Sequence, residues 1–123
     1  MLHPELKNRF VALLGSERYQ DQTEVLYSFA YDAHFEESLP DAVIFPQNTG
    51  EVAAVLEIAN EAKIPVTSRG AGTSICGAPI PKKNGIVLVM TRMNKILEVS
   101  PRDRGVRVQP GLVNQHIQDE LDK

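Results

Sequence analysis

A strand–helix–strand run between Asp41 and Ser68 constrains this chain more than any other feature. Ala42-Val43-Ile44-Phe45 is an apolar run of strand length, closed by Pro46. Asn48 or Thr49 can cap the helix that follows, and Glu51 stands three residues after Asn48, the spacing of a capping box. Val52, Val55, Leu56, Ala59 and Ala62 make one apolar stripe, and Lys63 is expected in the last turn, where a cation suits the helix dipole. Val66-Thr67-Ser68 then reads as a second strand. Two strands joined by one such helix form a βαβ unit, parallel and with a right-handed crossover.

The second strand runs into Arg69-Gly70-Ala71-Gly72-Thr73-Ser74-Ile75-Cys76-Gly77-Ala78-Pro79, a loop of glycines and small hydroxyl residues. Successive backbone N–H groups in such a loop can form an anion-binding concavity. Two standard phosphate motifs do not fit. A dinucleotide fingerprint needs a third glycine where Ile75 stands, and a P-loop needs a lysine where Ala78-Pro79 follows Gly77. Spacing alone leaves a plain surface turn as open as a phosphate site. Position favours the site, because ligands of open α/β sheets bind beyond the carboxyl ends of parallel strands.

The remaining elements follow from periodicity. Residues 4–14 read as an amphipathic helix with Leu6, Phe10, Leu13 and Leu14 on one stripe, Pro4 in the first turn and Gly15 as the stop. Ser16 to Thr23 is polar, and Val25 to Asp32 is apolar and aromatic without a clean period and reads as a short helix or an extended covering segment. The aromatics of the 25–32 run, Tyr27, Phe29 and Tyr31, are expected in the core. Lys82-Lys83-Asn84-Gly85 is a turn, and Ile86-Val87-Leu88-Val89-Met90 is a continuous strand buried on both faces. Ile96–Ser100 and Val106–Gln109 alternate as a hairpin with one solvated face. After Pro110-Gly111, Val113, Ile117 and Leu121 mark a final helix. The expected class is α+β: a βαβ unit with short parallel strands flanked by helices, followed by an antiparallel hairpin and a C-terminal helix.

Composition removes several function classes. The net charge of -3 favours neither nucleic acid nor an anionic membrane surface. Every apolar run is too short for a transmembrane segment, and the N-terminus lacks a basic-then-apolar signal pattern. A single cysteine excludes an internal disulfide and agrees with a reducing, cytoplasmic setting. His3, His34 and His116 are scattered without metal-ligand spacing, and Glu36-Glu37 and Lys82-Lys83 read as solvated charges. Cys76 reads as a small, half-buried filler rather than a reactive thiol.

Taken in order, several stretches resemble a known family. Ile64-Pro65-Val66 with Arg69-Gly70-Ala71-Gly72-Thr73-Ser74 is similar to the first part of the FAD-binding domain of the vanillyl-alcohol oxidase/p-cresol methylhydroxylase family. Its branch of FAD-binding glycolate oxidase subunits and FAD-linked D-lactate dehydrogenases is the nearest in pattern. Tyr27 to Ala33, Pro46 with Glu51-Val52, Met93-Asn94-Lys95-Ile96 and Val108-Gln109-Pro110-Gly111 look like further signatures of that branch. The likeness covers nearly the whole of residues 1–123.

The resemblance implies a cofactor, FAD, and roles for particular residues. Arg69, Gly70, Ala71, Gly72, Thr73 and Ser74, with Gly77 and Ala78, would wrap its pyrophosphate through backbone N–H groups, while Pro46, Pro110 and Gly111 would lie along it. Arg69 would neutralise a phosphate; read from the residue alone, it is equally a strand-end arginine paired with a surface carboxylate. Some relatives attach flavin through a histidine at the position that matches Thr73, so here FAD is expected to be non-covalent. Cys76 stands where the branch often has serine.

Family members continue into a second glycine-rich stretch and a substrate domain, so residues 1–123 are expected to be the N-terminal part of an FAD-binding domain. Three functions stay open on the sequence. The chain is part of an oxidoreductase of 2-hydroxy acids such as glycolate or D-lactate, inactive alone; or a non-catalytic cofactor-binding or assembly subunit; or a folded remnant. Self-association or a partner chain is expected, because the hairpin edge and the final helix need cover. No catalytic residue and no metal ligand is assigned.

Overall fold

The computed structural model describes residues 1–33 and 36–122. Among them, the main sheet has four strands: β1 (Tyr19–Gln20), β2 (Ala42–Ile44), β3 (Val66–Arg69) and β4 (Ile86–Val89). Their spatial order is β1-β2-β4-β3. β2 and β3 each pair in parallel with β4, so β4 lies between the two strands of the expected βαβ unit. β1 adds an antiparallel edge, Tyr19 opposite Ile44.

Alternation explains why β2 and β4 are apolar throughout. Ala42, Ile44, Ile86 and Leu88 face one layer, where they meet Phe10 and Leu14 of helix α1 (Pro4–Leu14) and Val55, Ile58 and Ala59 of helix α3 (Thr49–Glu61). Val43, Val87 and Val89 face the other side, where Leu26, Phe29 and Phe45 pack. Leu26 belongs to the short helix α2 (Thr23–Tyr27), so the 16–41 segment supplies both a short helix and cover for that face. Each fully buried side chain of this size contributes about 1.5–3 kcal/mol.

Local signals set the helix ends. Pro4 opens α1, and Gly15, at φ 87°, donates its N–H to the Val11 carbonyl at 2.7 Å. Asn48 caps α3 by accepting from the Glu51 amide at 2.9 Å. The Glu51 carboxylate reaches back to the Gln47 amide at 2.8 Å and pairs with Arg18 at 2.5 Å. Arg18 in turn donates to the Leu14 carbonyl, so this cluster ties α1 to α3. The Arg18 hydrogen bond holds the Glu51 carboxyl below its ordinary range; burial opposes it, and the Gln47 amide adds a smaller lowering effect.

Three details differ from the periodic reading. Leu56 is exposed and Ile58 is buried, because α1 and the sheet meet the 55-58-59 side of α3. Lys63 lies beyond the last turn, at φ 55°. It closes the helix in a Schellman arrangement: its own amide donates to Asn60, and that of Ile64 to Ala59. Tyr27 and Tyr31 are half exposed rather than core, because of the three aromatics only Phe29 turns toward the sheet, edge-on to Phe45.

The chain after β4 is a separate layer. A 3-10 turn (Met90–Arg92) leads to the antiparallel hairpin β5 (Ile96–Ser100) and β6 (Gly105–Val108), then to α4 (Asn114–Leu121). Val113 and Leu121, both on the stripe of the final helix, are about half exposed. Among the described residues, no helix is long and apolar enough to cross a membrane.

Candidate functional site

Because β2, β3 and β4 are parallel, their carboxyl ends share one edge of the sheet, and the loops leaving β3 and β4 are neighbours there. The glycine loop leaves β3 at Arg69. Among the described residues, the backbone amides of Gly70 to Ile75 donate no hydrogen bond within the chain. Such donors are normally satisfied by backbone, side chain, water or ligand. Gly72 and Gly77 both have φ 74°, where glycine is favoured.

Other elements hold this loop from behind. Ala33 donates its amide to the Ser74 carbonyl at 3.0 Å, and the Gly77 amide donates to the Asp32 carboxylate at 3.1 Å. Arg69 is buried, at 8% exposure. Its Nη1 donates to the Tyr31 carbonyl at 2.6 Å, and its guanidinium lies 5.6 Å from the centre of the Phe29 ring. A Cβ added at Gly72 would meet Arg69 Nη2, so the guanidinium is packed against that glycine.

In front of the loop lies a cleft of about 480 Å³, a size that suits part of an organic ligand. Gly70, Ala71 and Thr73 of the loop line it together with Thr91 and Asn94 after β4 and with residues 110–114 and His116. Gly111 is pressed on the 3-10 turn: a Cβ there would meet the Met90 carbonyl, and its amide donates to the Met93 carbonyl at 2.8 Å. Among the described residues, no carboxylate lines this cleft. A Cβ at Gly70 would meet nothing within 4 Å, so the loop backbone is open to a ligand there.

Of the residues singled out in the sequence, Gly70, Ala71, Thr73, Pro110 and Gly111 meet in this cleft. Gly72, Ser74 and Ala78 line a shallower neighbouring depression of about 240 Å³. Pro46 is fully buried at the end of β2, and Pro46, Arg69 and Gly77 line neither hollow. Thr91, Leu112, Val113, Asn114 and His116 are cleft residues that no motif marked. Their only signal was position, at the end of a buried strand or after a turn. Cys76 is exposed, not half buried. Its thiol lies 3.0 Å from the Ser74 hydroxyl, which, followed by the Ala78 amide, holds it below the ordinary thiol range. His34 lies outside the described residues. Among those described, no cluster of His, Cys, Asp or Glu could hold a metal.

Comparison with known proteins decides the lineage. The FAD binding domain family matches residues 40–123, from just before β2 through α4. The chain belongs to this FAD-binding domain family. Glycolate oxidase subunit GlcD of Bacillus subtilis strain 168 is 36% identical over 114 residues, covering 92% of this chain and 24% of that protein. D-lactate dehydrogenase of Anaerostipes hadrus is 30% identical over 122 residues, covering 98% and 26%. The crystal structure of p-cresol methylhydroxylase shares the fold, with a TM-score of 0.87 at 24% identity over 96% of this chain and 24% of that one. This FAD-binding chain thus spans about a quarter of the length of these relatives. FAD is the cofactor that defines the family. The residues present fit such a group: a run of unengaged amides, a glycine open on its ligand side, and walls without carboxylates.

Proposed function

We propose that this chain forms the pyrophosphate-cradling part of an FAD site in a cytoplasmic FAD-linked oxidoreductase of 2-hydroxy acids such as glycolate or D-lactate. The observation that carries the reading is the run of amides from Gly70 to Ile75 with no partner within the described chain, beside a cleft free of carboxylates. Bound FAD supplies the hydride-accepting chemistry. The chain's own part is to hold the phosphates through Gly70, Ala71, Gly72, Thr73 and Ser74, with Gly77 and Ala78 shaping the loop's far end. Pro110 and Gly111 flank the cofactor across the cleft, and Pro46 anchors the strand exit behind it. Thr73 offers no nitrogen for a histidyl–flavin bond, so the flavin is held non-covalently. The substrate class rests on the relatives, a glycolate oxidase subunit and a D-lactate dehydrogenase.

A second reading, a cofactor-binding or assembly subunit, is favoured by the hairpin and α4, whose exposed Leu97, Val99, Val113 and Leu121 await cover from a further protein surface. Both readings have residues 1–123 as the first part of an FAD-binding domain, without turnover on their own.

FAD titration of the purified chain, followed by flavin fluorescence, tests the proposal. Saturable binding is expected, competed by ADP, with all flavin released on acid precipitation. Gly70→Val, which fills open space rather than colliding with protein, should remove it. Unchanged binding in that variant would sink the reading. Gly72→Val is a poorer probe, since it strains a positive φ and displaces Arg69.

A further inference from the structure

We propose that Arg69 is a positioning residue for the glycine loop and does not contact the cofactor phosphates. This inference rests on the FAD-site reading and assigns the arginine a role that neither a phosphate contact nor a surface ion pair describes. A phosphate-binding arginine needs its fork in the cleft. Here the fork is buried and lines neither hollow. One nitrogen is committed to the Tyr31 carbonyl, the plane lies over Phe29, and the remaining edge packs against Gly72.

The contact with Gly72 explains why the loop turns there. The missing side chain at Gly72 leaves space that the guanidinium fills, and the same φ 74° that needs glycine brings the backbone down onto it. Phe29 is itself fixed edge-on to Phe45 at the end of β2. The sheet's second face is thereby linked to the loop through Phe45, Phe29, Arg69 and Gly72. Two flanking bonds, Ala33 to Ser74 and Gly77 to Asp32, hold the same segments together on either side. The effect is pre-organisation: the loop holds its ligand-ready shape before any anion arrives, so binding costs less ordering.

Arg69→Lys separates the two roles. Lysine keeps the charge and much of the stem but not the planar fork. Bracing predicts a fall of about tenfold in FAD affinity for Arg69→Lys, the effect of losing one charge-assisted hydrogen bond; a phosphate contact made through the fork would also lose affinity, so the readouts in the ligand-free chain separate the two roles. Amide exchange in the ligand-free chain is the second readout. Bracing predicts faster exchange at Ala33 and Gly77 in Arg69→Lys, with exchange in β4 unchanged. The third is a cycle with Gly72→Ala read by Tm. Gly72→Ala displaces the guanidinium, so its loss in Tm should be clearly smaller when Arg69 is already alanine.

Wild-type affinity in Arg69→Lys, unchanged exchange at Ala33 and Gly77, or strict additivity of the Gly72 and Arg69 losses would each overturn the brace. Failure of the wild-type chain to bind FAD or ADP would instead overturn the proposed function, and the exchange and Tm readouts would still decide what Arg69 does. If Arg69→Ala does not fold, Phe29→Leu removes the ring beneath the guanidinium and should speed exchange at the same two amides.

Discussion

Two regions of this molecule are built to different standards. β2 and β4 are buried at every position, and helices and aromatic side chains cover both faces of their sheet. From Asn94 to Asp122 no residue is buried, although the hairpin is paired, with one register shift between Ile96 and Glu98, and α4 carries a clear stripe. Regular hydrogen bonding alone does not make a closed unit; what separates the regions is whether apolar faces find a partner. The first region closes its own core, while the second leaves Leu97, Val99, Val113 and Leu121 exposed. The cleft lies on the seam, lined by residues of both regions.

The strongest way to break this comparison is Phe10→Ala. Phe10 is fully buried and stacks on Tyr19 at 6.3 Å. A loss of about 3–5 kcal/mol is expected in denaturant unfolding. A loss below about 1 kcal/mol would show that the first region does not depend on α1.

Gly111→Ala tests the seam itself. The new methyl has no room against the Met90 carbonyl, so the turn should lift from the 3-10 segment. About 1–3 kcal/mol is expected, as for overpacking elsewhere. The exchange protection of the Gly111 amide should disappear while that of β4 remains. Equal loss in both would mean that the regions open as one.

Acid should act on the first region through Glu51. Its carboxyl is held below the ordinary 4.5 in the folded chain. The unfolded chain therefore takes up this proton first as the pH falls. The contribution is present in full above about 4.5 and is lost as the pH drops through the folded value. Glu51→Gln should cost about 1 kcal/mol near neutrality and flatten the acid limb of stability, read as urea midpoints across that range. An acid limb as steep as the wild type's would point to another carboxylate.

The smallest effect is expected at Leu121→Ala. This residue is half exposed, so the loss in the free chain should stay within about 0.5 kcal/mol. A loss of about 2 kcal/mol or more, dependent on protein concentration, would show that a second copy covers α4.

What could be read from the sequence was what short-range chemistry encodes. The Asn48–Glu51 box, Pro4 with Gly15, the apolar run of β4 and the pairing of the hairpin all act within a few residues, and each recurs in the structure, although Leu97 and Val99 of the hairpin are exposed instead of turned inward. The glycine loop was legible for the same reason. Features set by distant neighbours were not. Tyr19-Gln20 is too short and too polar to announce a strand, and becomes one only by lying beside β2. Leu56 and Ile58 serve equally well in periodic stripes of α3, and the choice is made by where α1 packs. The contacts of Arg69 with the Tyr31 carbonyl and the Phe29 ring leave no trace in its local sequence, because both partners lie far away in the chain.

The insertion of β4 between β2 and β3 sets a timetable for folding. Ala42 and Val66 both find their partner in Ile86, so neither parallel pairing can form until that strand has been made. A chain emerging from the ribosome would hold β2 and β3 as two strands waiting for the one that belongs between them. Pairing over such separations is slow, and unpaired strand edges invite the wrong neighbour. The hairpin suffers no such delay, because Ser100 meets Gly105 almost at once. The hairpin emerges after β4 and pairs within its own few residues, whereas the main sheet must bring together strands far apart in the chain.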